Sequence, residues 1–265
     1  MGSEEKKGTQ TQYIYVENTS ISTIDNKEEE KEEKSLGNVS VMMLHQMNFH
    51  QKFKPKDDDI ILASIPKSGT TKCLNSLVFS ILNRNNLHDH NNCRLISTHI
   101  PYASFPDSIK HYSKSRIVYL SRNPLDVIVT NNKEGFSSME ECVDMFCRGE
   151  SVFGPFWDHV LGFWKASLEK RDKVLFLKYE EMKEDNIGQA KRVAEFVGIP
   201  FSKEEEKNGI IEQVLLMNKL KEDDHDDHDH EVGDWMNHLT PSMVKCVNNI
   251  MKEKLCGSGL SFKMS

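Results

Sequence analysis

The sequence contains no long hydrophobic run. It has no stretch of about 18 consecutive apolar residues, so no transmembrane helix is predicted. The N-terminal region has no apolar segment of the signal-peptide type, and Lys6 stands where a myristoylation signal has Ser or Thr. These absences predict a cytoplasmic protein that has no membrane partner.

An excess of positive charge is also absent. The chain carries 34 Lys and Arg residues against 41 Asp and Glu residues, which gives a net charge of −7 at pH 7 and argues against a nucleic-acid partner. Its six cysteines form no Cys-x-x-Cys pair. Their wide spacing predicts that most are small core residues in a reducing compartment, rather than members of a disulfide framework or a structural zinc site.

The 265 residues divide into a polar N-terminal region and a longer region of mixed composition. Residues 1–36 have few side chains that could anchor them to a core and include the charged run Lys27–Lys34, so we expect a disordered acidic tail, with a loosely attached helix as the alternative. Residues 37–265 are long enough to bury a sizeable core. We expect them to form a single domain.

The most informative stretch begins at Ile60. Residues 60–65 are typical of a short apolar strand, and Pro66–Thr71 form a polar loop with one lysine and one glycine. From Lys72 onward, apolar side chains recur at the helical period. The N–H groups at a helix start attract an anion, and glycine lets the backbone approach a phosphate closely. With the positive charge of Lys67, the stretch predicts an anion-binding loop.

The pattern of strand, turn and helix repeats along the chain. Further strands are predicted at Arg94–His99, Arg116–Ser121 and Lys173–Tyr179, with helices between them. This alternation predicts an α/β fold in which a mostly parallel sheet is flanked by helices and ligands bind outside the carboxyl ends of the strands. Charged or aromatic side chains stand at those ends, namely Lys67, His99, Arg122 and Tyr179.

The loop sequence differs from the commonest nucleotide-binding motif. A Walker A motif places its lysine after the last glycine, whereas Lys67 precedes Gly69, so an ATPase, GTPase or nucleotide kinase is disfavoured. The segment Pro66–Thr71, with the order Pro-Lys-Ser-Gly-Thr-Thr after a strand, resembles the 5′-phosphosulfate loop of the cytosolic sulfotransferases.

Further segments resemble the plant branch of this family and follow the same order along the chain. Residues 97–101 resemble the catalytic-histidine segment, and residues 122–127 resemble the 3′-phosphate segment. The other segments are residues 153–164, 178–185, 233–241 and 257–262. The resemblance implies a P-loop-like sulfotransferase fold, with 3′-phosphoadenosine 5′-phosphosulfate (PAPS) as co-substrate and no metal. The implied activity is transfer of a sulfuryl group to a hydroxyl of a small metabolite of the flavonoid, steroid or desulfo-glucosinolate class.

The resemblance also implies a role for each site residue. Lys67 and His99 would be catalytic, because the lysine stabilises charge on the departing phosphate oxygen and the histidine takes the proton of the acceptor hydroxyl. Arg122 and Thr130 would hold the 3′-phosphate, and Tyr179 would contact the adenine. The full set of residues that would bind the co-substrate is Lys67, Ser68, Gly69, Thr70, Thr71, Lys72, Arg122, Thr130 and Tyr179.

Purely structural roles are the alternatives for several of these residues. A histidine at a strand end is often a hydrogen-bonded structural residue, although the Ser-Thr-His-Ile-Pro context favours catalysis for His99. A tyrosine such as Tyr179 often only packs. The aromatic stripe in the predicted helix Phe156–Leu168 is interpreted as core packing rather than as a cofactor site.

Departures from the family pattern support a second hypothesis. Lys72 replaces a tryptophan that lies against the adenine, and residues 228–230 read His-Asp-His where the family has an Arg-Lys-Gly that closes over the 3′-phosphate. The interval before the histidine strand is also shortened. The alternative is therefore a catalytically impaired family member that binds the nucleotide weakly or not at all. The Asp/His run at 223–230 is interpreted as a solvated loop rather than a metal site.

Overall fold

The computed structural model describes most of the chain beyond residue 52. The described residues are 12–15, 53–69, 73–84, 93–132, 138–151, 153–223 and 231–263, with side chains left out at 12–15 and 218–223. Three predicted site residues, Thr70, Thr71 and Lys72, lie outside these ranges, as do residues 224–230 of the Asp/His run. None of the described helices is long and apolar enough to cross a membrane.

A five-stranded parallel sheet forms the centre of the fold, with the spatial order β1-β3-β2-β4-β5. The strands are β1 (Gln12–Tyr15), β2 (Ile60–Ser64), β3 (Arg94–Thr98), β4 (Arg116–Ser121) and β5 (Val174–Lys178). Strand β2 is central, since Leu62 lies beside Ser97 of β3 and Val118 of β4. All of β2 is buried, as expected for a strand covered on both faces. The predicted α/β fold with a mostly parallel sheet is confirmed.

Strand β1 lies within the region expected to be a disordered tail. Gln12 pairs with Arg94 and Tyr15 pairs with Ser97, so β1 extends the sheet beyond β3. A four-residue strand gives too short an alternation to be recognised in the sequence. The rest of residues 1–36 lies outside the described residues, and a domain boundary at residue 37 stays a prediction.

Ten described helices flank the strands. They are α1 (Asn75–Asn83), α2 (Pro124–Asn132), α3 (Met139–Arg148), α4 (Phe156–Glu169), α5 (Tyr179–Glu184), α6 (Asn186–Phe196), α7 (Lys203–Lys207), α8 (Ile210–Asp223), α9 (Trp235–His238) and α10 (Pro241–Lys254). Helix α10 begins as predicted, because the side chain of Thr240 accepts a hydrogen bond from the N–H of Met243 and Pro241 occupies the first turn.

Helices cover both faces of the sheet and create two hydrophobic cores. On one face, Ile61 and Ala63 of β2 pack with side chains of α2, α3, α4 and α10. On the other face, Ile60 and Leu62 pack with side chains of α1, α6 and α8. This division follows from the opposite directions of successive side chains along a strand. Both cores hold the sheet rigidly, so its strand ends are well placed to carry a site.

The aromatic stripe of α4 belongs to the first core. Phe156, Trp157 and Phe163 are buried there, and the ring of Phe163 stacks on Tyr119 of β4 with centroids 4.1 Å apart. The predicted packing role is confirmed. The prediction that most cysteines are core residues is confirmed in part, because Cys73 and Cys93 belong to the second core and Cys142 and Cys147 pack against the first. Two are buried (Cys73 and Cys93), two are half-buried (Cys142 and Cys147) and two are exposed (Cys246 and Cys256).

The carboxyl ends of β2 to β5 lie at one edge of the sheet because the strands are parallel. The candidate residues follow these ends, with Lys67 after β2, His99 after β3, Arg122 after β4 and Tyr179 after β5. Tyr179 was predicted as the last residue of its strand, whereas in the structure it is the first residue of α5. The fold therefore gathers the predicted residues at a single edge.

Candidate active site

The loop that follows β2 has an uncommon backbone conformation. Lys67 has a φ of 66°, and among the described residues it is the only non-glycine with a positive φ. Residues with a side chain rarely occupy this region, and they do so most often at functional sites. Gly69 follows with a φ of 84°. Its carbonyl oxygen accepts a hydrogen bond of 3.0 Å from the N–H of Cys73, which leads the chain into α1.

Two buried hydroxyls at this edge lack a hydrogen-bond partner among the described residues. They are the Oγ atoms of Ser68, in the loop, and of Ser121, at the end of β4. Burying a polar group without a partner costs about 1–3 kcal/mol, so such a group usually marks a place where a ligand or water binds. Both hydroxyls can donate to an anionic oxygen. This arrangement fits the phosphate site that the loop sequence predicts.

Arg122 joins three parts of the chain. Its Nη1 atom donates to the main-chain oxygen of Lys67 at 3.2 Å and lies 3.4 Å from Oγ1 of Thr130. Its Nη2 atom donates to the main-chain oxygen of Glu231 at 3.0 Å. The Arg122 side chain is 1% exposed. The structure thus places the predicted pair Arg122 and Thr130 together, directly beside the loop.

The Tyr179 ring packs against both the loop and Arg122. Its ring lies against Gly69, and its centroid is 5.0 Å from Cζ of Arg122 and 5.2 Å from Nζ of Lys183. Burial raises the pKa of the Tyr179 phenol to about 12, so the hydroxyl stays neutral at physiological pH. The ring therefore offers a neutral aromatic surface between two cations.

The turn that carries Arg122 is fixed by buried hydrogen bonds. The Glu180 side chain accepts from the N–H of Asn123 at 2.7 Å, and Oδ1 of Asn123 accepts from the N–H of Leu125 at 2.9 Å. Nδ2 of Asn123 donates to the main-chain oxygen of Lys263 at 2.7 Å. Burial raises the pKa of the Glu180 carboxyl above its ordinary value. These contacts hold Arg122 at a defined position.

A buried carboxylate fixes the segment that precedes α9. The two oxygens of Asp126, on α2, accept hydrogen bonds from the N–H groups of Gly233 at 3.1 Å and Trp235 at 3.2 Å. Asp126 is almost fully buried. The bonds place Glu231 next to Arg122, so the C-terminal part of the chain contributes to the site.

His99 lies at the end of β3, beside the end of β2. Its Nδ1 atom lies 2.8 Å from the main-chain oxygen of Ser64, and its ring centroid is 5.6 Å from that of Phe153. A carbonyl oxygen can only accept, so Nδ1 carries the hydrogen. In the neutral imidazole the lone pair is then on Nε2, which is the atom able to take a proton.

A second histidine lies behind His99. His159, on α4, has its Nε2 atom 3.0 Å from the main-chain oxygen of His99 and its Nδ1 atom 3.0 Å from the hydroxyl of Tyr119. Burial lowers the pKa of His159 from 6.5 to about 4, so the ring is neutral at physiological pH. His159 therefore contacts the main chain of the candidate base without reaching solvent.

Comparisons of the sequence with known proteins all point to one family. The family model for the sulfotransferase domain matches residues 83–259. Cytosolic sulfotransferase 3 of Arabidopsis thaliana is 40% identical over 79% of this chain and 80% of its own length. A flavonol sulfotransferase-like protein of Flaveria bidentis is 37% identical over 80% of this chain and 86% of its own length. The chain belongs to the plant cytosolic sulfotransferase family.

Solved structures of sulfotransferases have the same fold as this chain. A sulphotransferase of Arabidopsis thaliana has a TM-score of 0.68 at 32% identity, over 84% of this chain and 84% of its own. A mouse sulfotransferase in complex with PAP has a TM-score of 0.66 at 23% identity, over 80% of this chain and 89% of its own. The P-loop-like sulfotransferase fold implied by the sequence is confirmed.

The sulfotransferase fold brings most of the predicted site residues to one edge of the sheet. Those around the loop and Arg122 are Lys67, Ser68, Gly69, Arg122, Thr130 and Tyr179. His99 joins this edge through its contact with Ser64. The catalytic and binding roles of these residues stay predictions, and Thr70, Thr71 and Lys72 lie outside the described residues.

Sequence reasoning missed four residues that support the site, namely Ser121, Asp126, His159 and Glu180. Asp126, His159 and Glu180 lie within segments that resemble the family, which is the signal that could have found them. Their partners are distant in sequence, however. The partner of His159 is 60 residues away and one partner of Asp126 is 107 residues away.

Proposed function

We propose that this protein is an enzyme of the cytosol that transfers a sulfuryl group from PAPS to a hydroxyl of a small metabolite. The observation that carries the proposal is the placement of His99. Its Nδ1 atom is held by the carbonyl of Ser64, the last residue of the strand that leads into the loop at Pro66–Gly69. A candidate base and a candidate phosphate loop thus share one edge. The names of the cytosolic relatives support the compartment.

The proton chemistry follows from the His99 tautomer. With hydrogen on Nδ1, Nε2 accepts the proton of the acceptor hydroxyl as the oxygen forms its bond to sulfur. The co-substrate supplies an electrophilic sulfur and a phosphate leaving group. The Lys67 ammonium stabilises the negative charge that gathers on the departing phosphate oxygen. Catalysis by His99 and Lys67 therefore divides into proton removal and charge stabilisation.

The loop and Arg122 would hold the co-substrate. Ser68, Gly69, Thr70 and Thr71 would bind the 5′-phosphate, and the buried hydroxyl of Ser68 supports this because a phosphate oxygen would satisfy it. Arg122 and Thr130, which lie 3.4 Å apart beside the ring of Tyr179, would bind the 3′-phosphate through charge-assisted hydrogen bonds. Tyr179 and Lys72 would lie nearest the adenine.

One observation favours a second candidate function. Arg122 is 1% exposed, and its guanidinium already donates to oxygens of Lys67 and Glu231. Residues 228–230 also read His-Asp-His where the family has Arg-Lys-Gly. The second candidate is a catalytically impaired family member that binds the nucleotide weakly or not at all.

Nucleotide binding and sulfate transfer separate the two candidates. The first measurement is the thermal shift produced by 3′-phosphoadenosine 5′-phosphate (PAP). The second is transfer of labelled sulfate from PAPS to flavonols, steroids and desulfo-glucosinolates, with flavonols first because one relative is flavonol sulfotransferase-like. Stabilisation together with transfer supports the enzyme. No stabilisation at millimolar PAP, or stabilisation without transfer to any acceptor, supports the second candidate.

Two substitutions then test the residue roles. His99→Ala should abolish transfer and leave the PAP thermal shift nearly intact, whereas Arg122→Ala should reduce the thermal shift. The exposed residues His111 and Arg171 provide matched controls, as His111→Ala and Arg171→Ala. The reverse pattern, with binding lost in His99→Ala and kept in Arg122→Ala, contradicts the assigned roles.

A further inference from the structure

The His99 main chain lies just beyond the hydrogen-bond ladder of the sheet. Pairing between β2 and β3 ends at Ala63 and Thr98, and β3 itself ends at Thr98. The next peptide unit joins His99 to Ile100. Its C=O and N–H groups need other partners, because a buried main-chain group without one is destabilising.

Two side chains hold this peptide unit. The hydroxyl oxygen of Thr98 accepts from the N–H of Ile100 at 3.2 Å, and His159 contacts the oxygen of His99 at 3.0 Å. The His99 ring is held separately, by the carbonyl of Ser64 on one side and the ring of Phe153 on another. The candidate base is thus fixed at both its main chain and its side chain.

The tautomer of His159 follows from its partners. The His99 oxygen can only accept, so Nε2 of His159 carries the hydrogen. A neutral imidazole has one N–H group, and Nδ1 of His159 therefore accepts from the hydroxyl of Tyr119 at 3.0 Å. Burial favours this neutral form. The result is a directed chain of hydrogen bonds from Tyr119 through His159 to the main chain of His99.

Aromatic packing keeps the His159 ring in place. Its centroid is 5.5 Å from that of Phe163, which stacks on Tyr119. His159 is 1% exposed, so it does not reach an acceptor molecule and is not itself a base for the reaction. Its effect on chemistry has to pass through His99.

We propose that His159 is a positioning residue for His99. The Nε2 atom of His159 donates to the His99 carbonyl and so fixes the peptide that carries the catalytic imidazole. This sets the direction of the lone pair on Nε2 of His99. This inference rests on the proposed function, because it assigns His99 as the base. Small displacements of a catalytic group can reduce a rate by roughly 10- to 100-fold, so the contact is expected to be visible in turnover.

Kinetics of two His159 variants provide the first test. His159→Leu removes the donor, and we expect kcat to fall roughly 10- to 100-fold while the KM for PAPS and the PAP thermal shift stay near wild type. His159→Gln retains an N–H group that can reach the same carbonyl, and it should recover most of the kcat. His111→Leu, at an exposed histidine, is the control. Equal losses of kcat in the Leu and Gln variants overturn the proposal.

The tautomer of His99 provides a test that does not need activity. Long-range ¹H–¹⁵N spectra of the wild type should show His99 with hydrogen on Nδ1, and His159→Leu should show a mixture of tautomers. An unchanged His99 spectrum overturns the positioning role. If His159→Leu does not fold, Tyr119→Phe takes its place, since it removes only the hydroxyl that donates to His159. The two proposals can fail separately. If the wild type shows no transfer but the His99 spectrum differs between the wild type and these variants, the proposed function is refuted and the positioning role is supported.

Discussion

The ring of Tyr179 lies so close to Gly69 that a Cβ atom at residue 69 would come within 2.8 Å of its Cε2 atom. Gly69 also has a φ of 84°, which residues with a side chain rarely adopt. Two independent constraints therefore require glycine there. Tyr179 is the first residue of α5 and directly follows β5. The end of β5 therefore sets how closely the loop after β2 can approach Tyr179.

Gly69→Ala should lower the free energy of unfolding by about 2 kcal/mol or more and abolish the PAP thermal shift, since both the backbone and the Tyr179 contact are strained. Urea denaturation measures the first effect. Gly257→Ala is the matched control, because Gly257 has a φ of 74° and nothing within 4 Å of an added Cβ. Equal destabilisation in the two variants would show that the close contact with Tyr179 does not contribute to the loss of unfolding free energy in Gly69→Ala.

Asp126→Ala should leave the N–H groups of Gly233 and Trp235 without their carboxylate partner. We expect a loss of about 3 kcal/mol of unfolding free energy and faster hydrogen exchange at both amides. Asp158→Ala, at an exposed position on α4, is the control. Unchanged exchange at Gly233 and Trp235 would contradict the proposed attachment of this segment to α2.

The buried state of His159 predicts a specific pH dependence of stability. Its pKa is about 4 in the folded protein and 6.5 for an ordinary histidine, so the unfolded state binds more protons between these values. The contribution of neutral His159 to the free energy of unfolding should be fully present above pH 6.5. It should be lost, by roughly 3 kcal/mol, as the pH falls toward 4.

His159→Gln separates this effect from the titration of carboxylates. Urea midpoints measured at about pH 7 and about pH 5 should differ less in the variant than in the wild type. The same difference in both proteins would mean that His159 does not titrate as its burial requires.

Restoring the family's basic segment should strengthen nucleotide binding. The triple variant His228→Arg, Asp229→Lys, His230→Gly places positive charge directly before Glu231, whose main-chain oxygen lies 3.0 Å from Nη2 of Arg122. We expect PAP to bind about tenfold more tightly, because charge-assisted contacts to a phosphate are added and an acidic residue is removed.

Glu204→Lys, at an exposed position on α7, is the control for a general change in charge. Calorimetric titration with PAP measures both proteins. An affinity that rises equally in the control variant would indicate long-range electrostatics, and no rise in the triple variant would show that residues 228–230 do not face the nucleotide.

Local patterns in the sequence were sufficient to predict the main strands and the residues that follow them. Residues 60–63 are a continuous apolar run between Asp59 and Ser64, and residues 117–120 are a similar run between Arg116 and Ser121. Because parallel strands place their carboxyl ends at one edge, the meeting of Lys67, His99 and Arg122 could be inferred from strand positions alone.

Contacts between distant segments could not be predicted in this way. Asp126 was part of a recognised motif, but its partners Gly233 and Trp235 depend on how the C-terminal helices pack against α2. The sequence predicts core packing for the aromatic stripe of helix α4 but assigns no role to His159, which lies beside Phe163 of that stripe. Its hydrogen bond to His99 becomes apparent only when α4 is placed against β4.

The hydrogen bond from Asn123 to the main-chain oxygen of Lys263 spans 140 residues. During translation, this hydrogen bond cannot form until residue 263 has left the ribosome. Strands β2 to β5 are synthesised well before that point, so the sheet can assemble on the nascent chain before this hydrogen bond forms. The edge that carries the candidate site therefore depends on the last described residue of the chain for one of its hydrogen bonds.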